Sequence, residues 1–457
     1  MSNATRGTVG INSAWTIVIS TILILSGLCA TSPPAYAIPA FARKYSLPCS
    51  ACHEAWPKLN NFGQVFRDNG YQLGNDRDTP LSQGLSYWPI TFRITPQWHR
   101  ESNERVAVDS IPGNAASGQI EQRVSTSGFD LSGVDIWTAG TLFKNVSFVI
   151  LPSSDPTGAF HFESAWVRFD NLAGSRWMNF KFGKFELDTP ISEKRMLTLS
   201  DNGGFYQNYH FTPPGDTNTF TGIGNNQLGF ELQGHSANSY TRYSVAFVSD
   251  TNGDVNLDNG RGYDVYTNFS RAFELSQLGL QSFGAYAFVG ESPTFYLTDS
   301  EQPIPGTGIG NKSFYRAGAY AINYIGKIDV STVYMHGSDS AFLGVGIAAN
   351  QELPAGARAP AWNGIIVEPH YTYSTHLILV TRYEGIRMSQ QALPSSPQAL
   401  GNIDAATIGY RWYVFMNSRA SVTWHQEYSW VRSRDTSPLT ARDAVGSSIF
   451  FGFDFAF

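Results

Sequence analysis

The sequence predicts an all-β transmembrane barrel of about sixteen antiparallel strands, preceded by a small helical N-terminal segment. Three observations point there. Charged residues are 15% of the 457 and aromatics 14%, with 43 glycines, whereas a soluble globular chain carries roughly 25% charge. Mean hydropathy is only −0.20, so the chain beyond its N-terminus is no bundle of apolar helices. Low charge with middling hydropathy fits strands that alternate between two very different environments. The C-terminus supplies the second observation. Ile449, Phe451, Phe453, Phe455 and Phe457 are large and apolar, while Gly452, Asp454 and Ala456 between them are small or polar. A last strand with one apolar face and a terminal Phe is what bacterial outer-membrane barrels carry. The third is the regular alternation of long and short connections described below.

The first 37 residues read as an export signal. Arg6 gives the positive start, residues 15–30 form an apolar run, and Ala35-Tyr36-Ala37 gives a small-x-small cleavage site. The mature chain is expected to begin at Ile38, with an uncleaved anchor as the alternative. Cys29 leaves with the signal; the bulky Leu28 before it makes a poor lipoprotein site.

Of the three cysteines, Cys49 and Cys52 then remain, followed directly by His53. Cys-x-x-Cys-His is the attachment motif for c-type haem. Two thiols at this spacing reach the two vinyl groups on one porphyrin edge, and the adjacent imidazole reaches the iron as axial ligand. A thioredoxin-like pair, a disulfide and half a zinc site are the competing readings. No second cysteine pair completes a zinc site and no βαβ pattern surrounds the motif. Residues 38–87 are therefore read as a monohaem cytochrome c segment. Trp56, Leu59, Phe62, Phe66 and Tyr71 are available to pack on the macrocycle, and residues 60–69 form a short helix stopped by Gly70.

Between residues 38 and 88 there is no methionine and no histidine besides His53. The sixth iron position is thus empty, taken by an unusual ligand such as lysine, or supplied by the rest of the chain. A segment of about fifty residues is also too small to shield a haem alone. It needs a housing, and residues 88–457 provide it.

Strands are expected to start near 88, 131, 144, 160, 176, 226, 240, 261, 279, 313, 327, 362, 375, 405, 419 and 446. Short turns fall at 144–145, 235–238, 326, 374 and 417–418; long connections fall at 102–130, 186–225, 291–312, 338–360, 386–403 and 431–444. Short periplasmic turns and long external loops in strict alternation are the pattern of an outer-membrane barrel. Out of phase with the apolar face lie Arg93, His99, Lys181, Glu368, His370, Arg382, Glu384, Arg411, His425, Glu427 and Asp454. A charge on the lipid face would cost about 2–4 kcal/mol at mid-bilayer, so these side chains point into the lumen. For any one of them ordinary polar lining is the plain reading. His99, His370 and His425 are nonetheless the candidate distal haem ligands, with inward Met335 as the thioether alternative.

Two loops carry weaker signals. Asp250, Asn252, Asp254, Asn256 and Asp258 space oxygen atoms at every second residue, as Ca²⁺ loops do. The sixth-position Gly and terminal Glu are missing, so a plain solvated loop competes with calcium. The 186–225 connection is long enough to fold into the pore.

Pro39-Ala40-Phe41-Ala42-Arg43, Cys49-Ser50-Ala51-Cys52-His53 and Trp56-Pro57-Lys58-Leu59-Asn60-Asn61-Phe62-Gly63 together resemble the fused monohaem cytochrome–porin family of the outer membrane. Its best-known branch comprises the ferrous iron oxidases of iron-oxidising bacteria. Gly183 through Asp188 and Ser192 through Arg195 look family-like but are less diagnostic. The resemblance implies a haem segment plugging the barrel, with Cys49 and Cys52 as thioether positions and His53 as axial ligand. It also implies an electron taken from an external donor and passed inward.

The leading expectation is electron transfer in the outer membrane. The donor is extracellular Fe(II) or another membrane-impermeant reductant, and the acceptor a periplasmic cytochrome. Two alternatives stand beside it: a haem-bearing porin that senses or binds a small ligand, and a diffusion porin with a structural haem. Outer-membrane lipid surrounds the barrel. A net charge of −6 without a basic run argues against nucleic acid as a partner.

Overall fold

In the computed structural model, the described residues are 40–45, 47–55, 58–73, 90–154, 158–192, 223, 226–249, 262–293, 311–339, 361–389, 402–416 and 420–457. The export signal, Trp56, the 250–258 run and most of the 186–225 connection lie outside them. The N-terminal segment begins with helix α1 (Ala40–Tyr45) and a single 3-10 turn (Cys49–Ala51). Two short strands follow, β1 (His53–Ala55) and β2 (Lys58–Leu59), then helix α2 (Asn61–Asp68). Helix α2 starts and stops where its sequence says. Asn60 caps it by accepting from the Gly63 amide at 2.9 Å, and Gly70 leaves it at φ +80°, a left-handed conformation that costs glycine little.

Sixteen strands then close into an antiparallel barrel. They are β3 (Ile90–Asp109), β4 (Gln119–Phe143), β5 (Val146–Ser154), β6 (Phe160–Phe169), β7 (Asn179–Phe185), β8 (Gln227–His235), β9 (Thr241–Ser249) and β10 (Tyr263–Leu275). The second half is β11 (Gly279–Pro293), β12 (Asn311–Ile325), β13 (Ile328–Asp339), β14 (Ala361–Ser374), β15 (Leu377–Met388), β16 (Ile403–Met416), β17 (Ser421–Ser433) and β18 (Ala444–Ala456). Each strand pairs with its sequence neighbours, and β18 returns to β3. The terminal Phe locks this seam. Phe457 and Phe92 exchange backbone bonds of 2.8 and 2.9 Å while their rings stack 5.7 Å apart. Closure pairs every strand edge, which a bilayer demands because lipid offers no hydrogen bonds.

The outer face is apolar. Phe129, Phe182, Ile325, Tyr373, Ile408 and Trp412 are all exposed, Phe129 by 87%. No helix among the described residues is long and apolar enough to cross a membrane; the chain crosses with strands. A closed barrel of this size with an apolar exterior is an outer-membrane protein.

One expected connection is absent. Residues 102–130 were expected as an external loop, but β3 and β4 run on through it, pairing as far as Asp109 with Gln119. The partner strands stop earlier: β18 leaves β3 at Asn103 and β5 leaves β4 at Asp135. A two-stranded hairpin therefore projects past the barrel rim. Polar side chains on both its faces hid it from a search for one apolar face. Cross-strand pairs hold it instead, including Arg123 with Glu104 and Ser125 with Ser102 at 2.9 Å.

Candidate functional site

The lumen splits into two zones. Toward the long connections, inward side chains form one apolar cluster that includes Tyr266, Tyr286, Phe288, Phe314, Met335 and Trp362. Leu187, Ile191 and Ile223 from the 186–226 connection are buried in the same cluster. That connection therefore enters the lumen at both its ends, as its length allowed. A water-filled channel has a polar lining; this zone is mainly apolar, with Arg316 buried over the Phe314 and Trp362 rings.

Toward the short turns the lumen is charged, and here the N-terminal segment makes its contacts. Lys58 is the centre, with 2% of its surface exposed. Its ammonium pairs with Asp329 at the start of β13 and with Glu54 at 3.0 Å, and lies 3.3 Å from His370 Nδ1. Tyr324 donates its hydroxyl to Glu54. Burial alone would lower the Lys58 pKa, but Tyr324, Glu54 and Asp329 hold it above its usual value.

On the other side of the segment, Asp68 at the end of α2 pairs with Arg242 at 2.9 Å. Arg242 also reaches Asp188 at 3.2 Å. Arg168 donates to the Arg67 and Asp68 carbonyls at 2.9 and 3.3 Å, satisfying backbone groups that a helix end leaves open. Thr141 donates to the Gly70 carbonyl at 2.9 Å. Burial pushes the Asp68 carboxyl up, but the charges of Arg242, His235 and Arg67 outweigh it and hold its pKa below the usual value. Because the folded value is lowered, this contact stabilises the seated segment above the ordinary carboxylate range. It is lost as pH falls through the folded value.

Phe66 and Tyr71 pack as expected of an apolar core, but against Phe41 and the barrel wall. Phe41 stacks on Tyr71 at 5.1 Å, Phe66 meets Phe41 edge-on at 5.1 Å, and Tyr71 approaches Trp166 at 6.2 Å. Phe62 is 43% exposed and joins none of these.

The Cys-x-x-Cys-His residues lie on one tight loop. The Cys52 amide donates to the Cys49 carbonyl at 3.1 Å, which puts both thiols on a single 3-10 turn. They are not joined as a disulfide. Burial pushes both thiols up to about 11, the opposite of the lowered pKa that activates a thioredoxin-like pair. Asn60 clamps this loop from below, donating to the Ala51 and Ser50 carbonyls at 2.9 and 3.3 Å while its oxygen caps α2. Replacing Asn60 with Ala is expected to destabilise the segment by about 1 kcal/mol from the lost cap alone. Faster amide hydrogen exchange in residues 61–66 measures it; unchanged exchange would mean the cap contributes nothing.

The sequence-predicted candidates fare differently. Ala55, beside the motif, packs on Ile378, Val380 and Tyr413, so the motif faces β15 and β16. His370 gives Nδ1 to Asp329 at 2.8 Å and Nε2 to Glu368 at 2.6 Å. His99 pairs with Asp130 at 2.8 Å, and Met335 sits in the apolar cluster. His425 is buried on β17 with its Nε2 unbonded. Arg93 bridges Asp135 at 3.3 Å and Asp454 at 3.1 Å. Arg382 joins Glu384 and Glu368 at 2.5 and 3.7 Å. Arg168, Arg242 and Asp329 were not singled out from sequence, although inward phase close to a short turn marks all three; Asp188 was noted only as the end of a family-like run.

No family model matches this chain, and no curated protein matches it. Its fold is similar to solved outer-membrane proteins. The anion-selective porin from Comamonas acidovorans superposes with a TM-score of 0.50 at 10% identity, over 80% of this chain and 99% of that one. OmpT of Vibrio cholerae with loop L8 deleted gives 0.47 at 10% identity, over 80% and 99%. Salmonella typhi OmpF in complex with daunomycin gives 0.41 at 10% identity, over 79% and 96%. At such identity the likeness is one of fold.

Proposed function

We propose that this chain is an outer-membrane electron-transfer protein in which residues 40–73 plug the barrel and carry one c-type haem. One observation carries the reading. The segment bearing Cys49, Cys52 and His53 is held by buried charge pairs to inward residues at the short-turn end of the strands, Lys58 to Asp329 and Asp68 to Arg242. The residues fit the group: two thiols on one turn, not joined as a disulfide, and an imidazole directly after them. Cys49 and Cys52 would form the thioethers and His53 would be the axial ligand. Bound haem c supplies a one-electron Fe(III)/Fe(II) couple.

The chain's own contribution is placement and exclusion. Short turns face the periplasm in such barrels, so Lys58, Arg168 and Arg242 hold the motif at the side where a periplasmic acceptor docks. Above it the lumen carries the apolar cluster of Tyr286, Phe314 and Trp362. The donor is then membrane-impermeant, with extracellular Fe(II) as the leading case; because one haem cannot span an apolar band about 25 Å tall, that donor has to give up its electron from within the outer mouth.

A diffusion porin is the second reading, favoured by the likeness in fold to an anion-selective porin. The apolar cluster buried in the lumen toward the long connections speaks for the first.

Outer membranes carrying the chain, kept anaerobic, are expected to develop the reduced α-band of haem c when Fe(II) is added. A Cys52→Ala variant should show none. A haem that dithionite reduces and Fe(II) does not would remove iron as the donor. Steady conductance of the wild-type barrel in planar bilayers would favour the porin reading.

A further inference from the structure

His370 is caught between two carboxylates. Its ring, on β14, is 1% exposed. Nδ1 lies 2.8 Å from Asp329 Oδ2, and Nε2 lies 2.6 Å from Glu368 Oε1. An ionised carboxylate has lone pairs and no hydrogen to give, while a neutral imidazole has one N–H and one lone pair. A neutral ring can therefore serve only one of these contacts, and would turn a lone pair on the other oxygen at hydrogen-bond distance. Holding both takes one further proton, whether it rests on the ring or is shared with Glu368.

The surrounding charges favour that proton. From the N-terminal segment come Lys58, 3.3 Å from Nδ1, and Glu54, paired with Lys58 at 3.0 Å. Tyr324 on β12 gives its hydroxyl to Glu54. Asp329 stands on β13 and Glu368 on the same strand as His370. From β15, Arg382 reaches Glu368 at 3.7 Å and Glu384 at 2.5 Å. Lys58 by itself would repel a second cation. The carboxylates of Glu54, Asp329, Glu368 and Glu384 nevertheless outnumber Lys58 and Arg382, and unbalanced charge in a buried site is costly. An added proton brings the site nearer to balance.

We infer that His370 is the pH-sensitive part of the latch: seating the N-terminal segment takes up a proton at His370, and raising the pH loosens the segment. The inference rests on the reading of residues 40–73 as a plug. Coupling runs through Asp329, which meets both Lys58 of the segment and His370 of the wall. Once the segment leaves, water enters and the imidazole titrates near its ordinary value of about 6.5. Above that value the seated state holds a proton that the released state does not. Retention is therefore full below about pH 6.5 and weakens as pH rises, by up to about tenfold in the seated-to-released ratio per pH unit. The sign is opposite to that of Asp68, whose contact is lost on the acid side. The segment is held best between the two.

The test uses the full chain in planar bilayers and reads the urea concentration at which a silent barrel begins to conduct. In the wild type that threshold is expected to fall by about 1 M or more between roughly pH 6 and pH 9, a range below the ordinary titration of lysine at about 10.4. Glu368→Gln offers Nε2 an amide that can donate, so a neutral ring is satisfied and the threshold should be the same at both pH values. His370→Gln should open at less urea than the wild type at the lower pH and show no further fall. It decides the matter if Glu368→Gln fails the heat-modifiable gel shift of a folded barrel. His235, beside Asp68, titrates in all three proteins and cancels in the comparison. Steady conductance of the wild type at the lower pH without urea overturns the plug reading and this latch with it. A silent wild type whose threshold does not fall, or falls equally in the variants, overturns the His370 latch alone.

Discussion

Replacing Lys58 with Met is expected to release the N-terminal segment and turn a nearly silent barrel into a conducting one. Lys58 is the cation that Asp329 and Glu54 share. Asp329 is also bonded to His370, which in turn is bonded to Glu368. Methionine keeps most of the volume but removes the charge, leaving Asp329 buried beside further carboxylates. Breaking one partner of such a buried pair costs about 3–5 kcal/mol, a large share of the roughly 5–15 kcal/mol that holds a domain together. Single-channel recording in planar bilayers reads the outcome. An Asp329→Asn variant should open the pore as well, and the two changes together should cost less than their sum because each removes the same pair. A Lys58→Met barrel as silent as the wild type would sink the latch.

The second large effect is expected at Gly63. Helix α2 crosses the Cys-x-x-Cys-His loop here so closely that a Cβ would lie 2.1 Å from the Cys52 carbonyl oxygen and 2.9 Å from its carbon. The same oxygen accepts from the Asn60 amide at 2.9 Å, so neither side yields easily. Gly63→Ala must push the helix off the loop or open the 3-10 turn that sets the two thiols. Overpacking costs about 1–3 kcal/mol where side chains can adjust, and more is expected against backbone. Covalent haem, read by peroxidase-active staining of denaturing gels, should fall to a small fraction of wild type while the barrel still folds. A full haem complement in Gly63→Ala would show that the loop tolerates the displacement.

Much of this molecule is written locally. A strand shows its two faces in every second residue, so the burial of Glu368, His370, Arg382, Glu384, Arg411 and Asp454 follows from phase and from the cost of charge in lipid. Strand starts are legible too, because turns interrupt the alternation; β6 and β11 begin at Phe160 and Gly279, where the sequence places them. The hairpin of β3 and β4 was missed for the same reason. Beyond the membrane no environment forces one apolar face, and backbone pairing alone extends the strands.

What phase cannot say is which inward groups meet. Lys58 and Asp329 are 271 residues apart, and Asp68 and Arg242 are 174 apart. Their meeting depends on sixteen strands closing in one register and on how far the segment enters. So do the bonds that occupy His370. The sequence by itself determined the barrel, its faces and the Cys-x-x-Cys-His loop, because each is a repeat or spacing of a few residues. Only the tertiary structure decided which charges seat the segment, because lumenal contacts join residues that chain order keeps far apart.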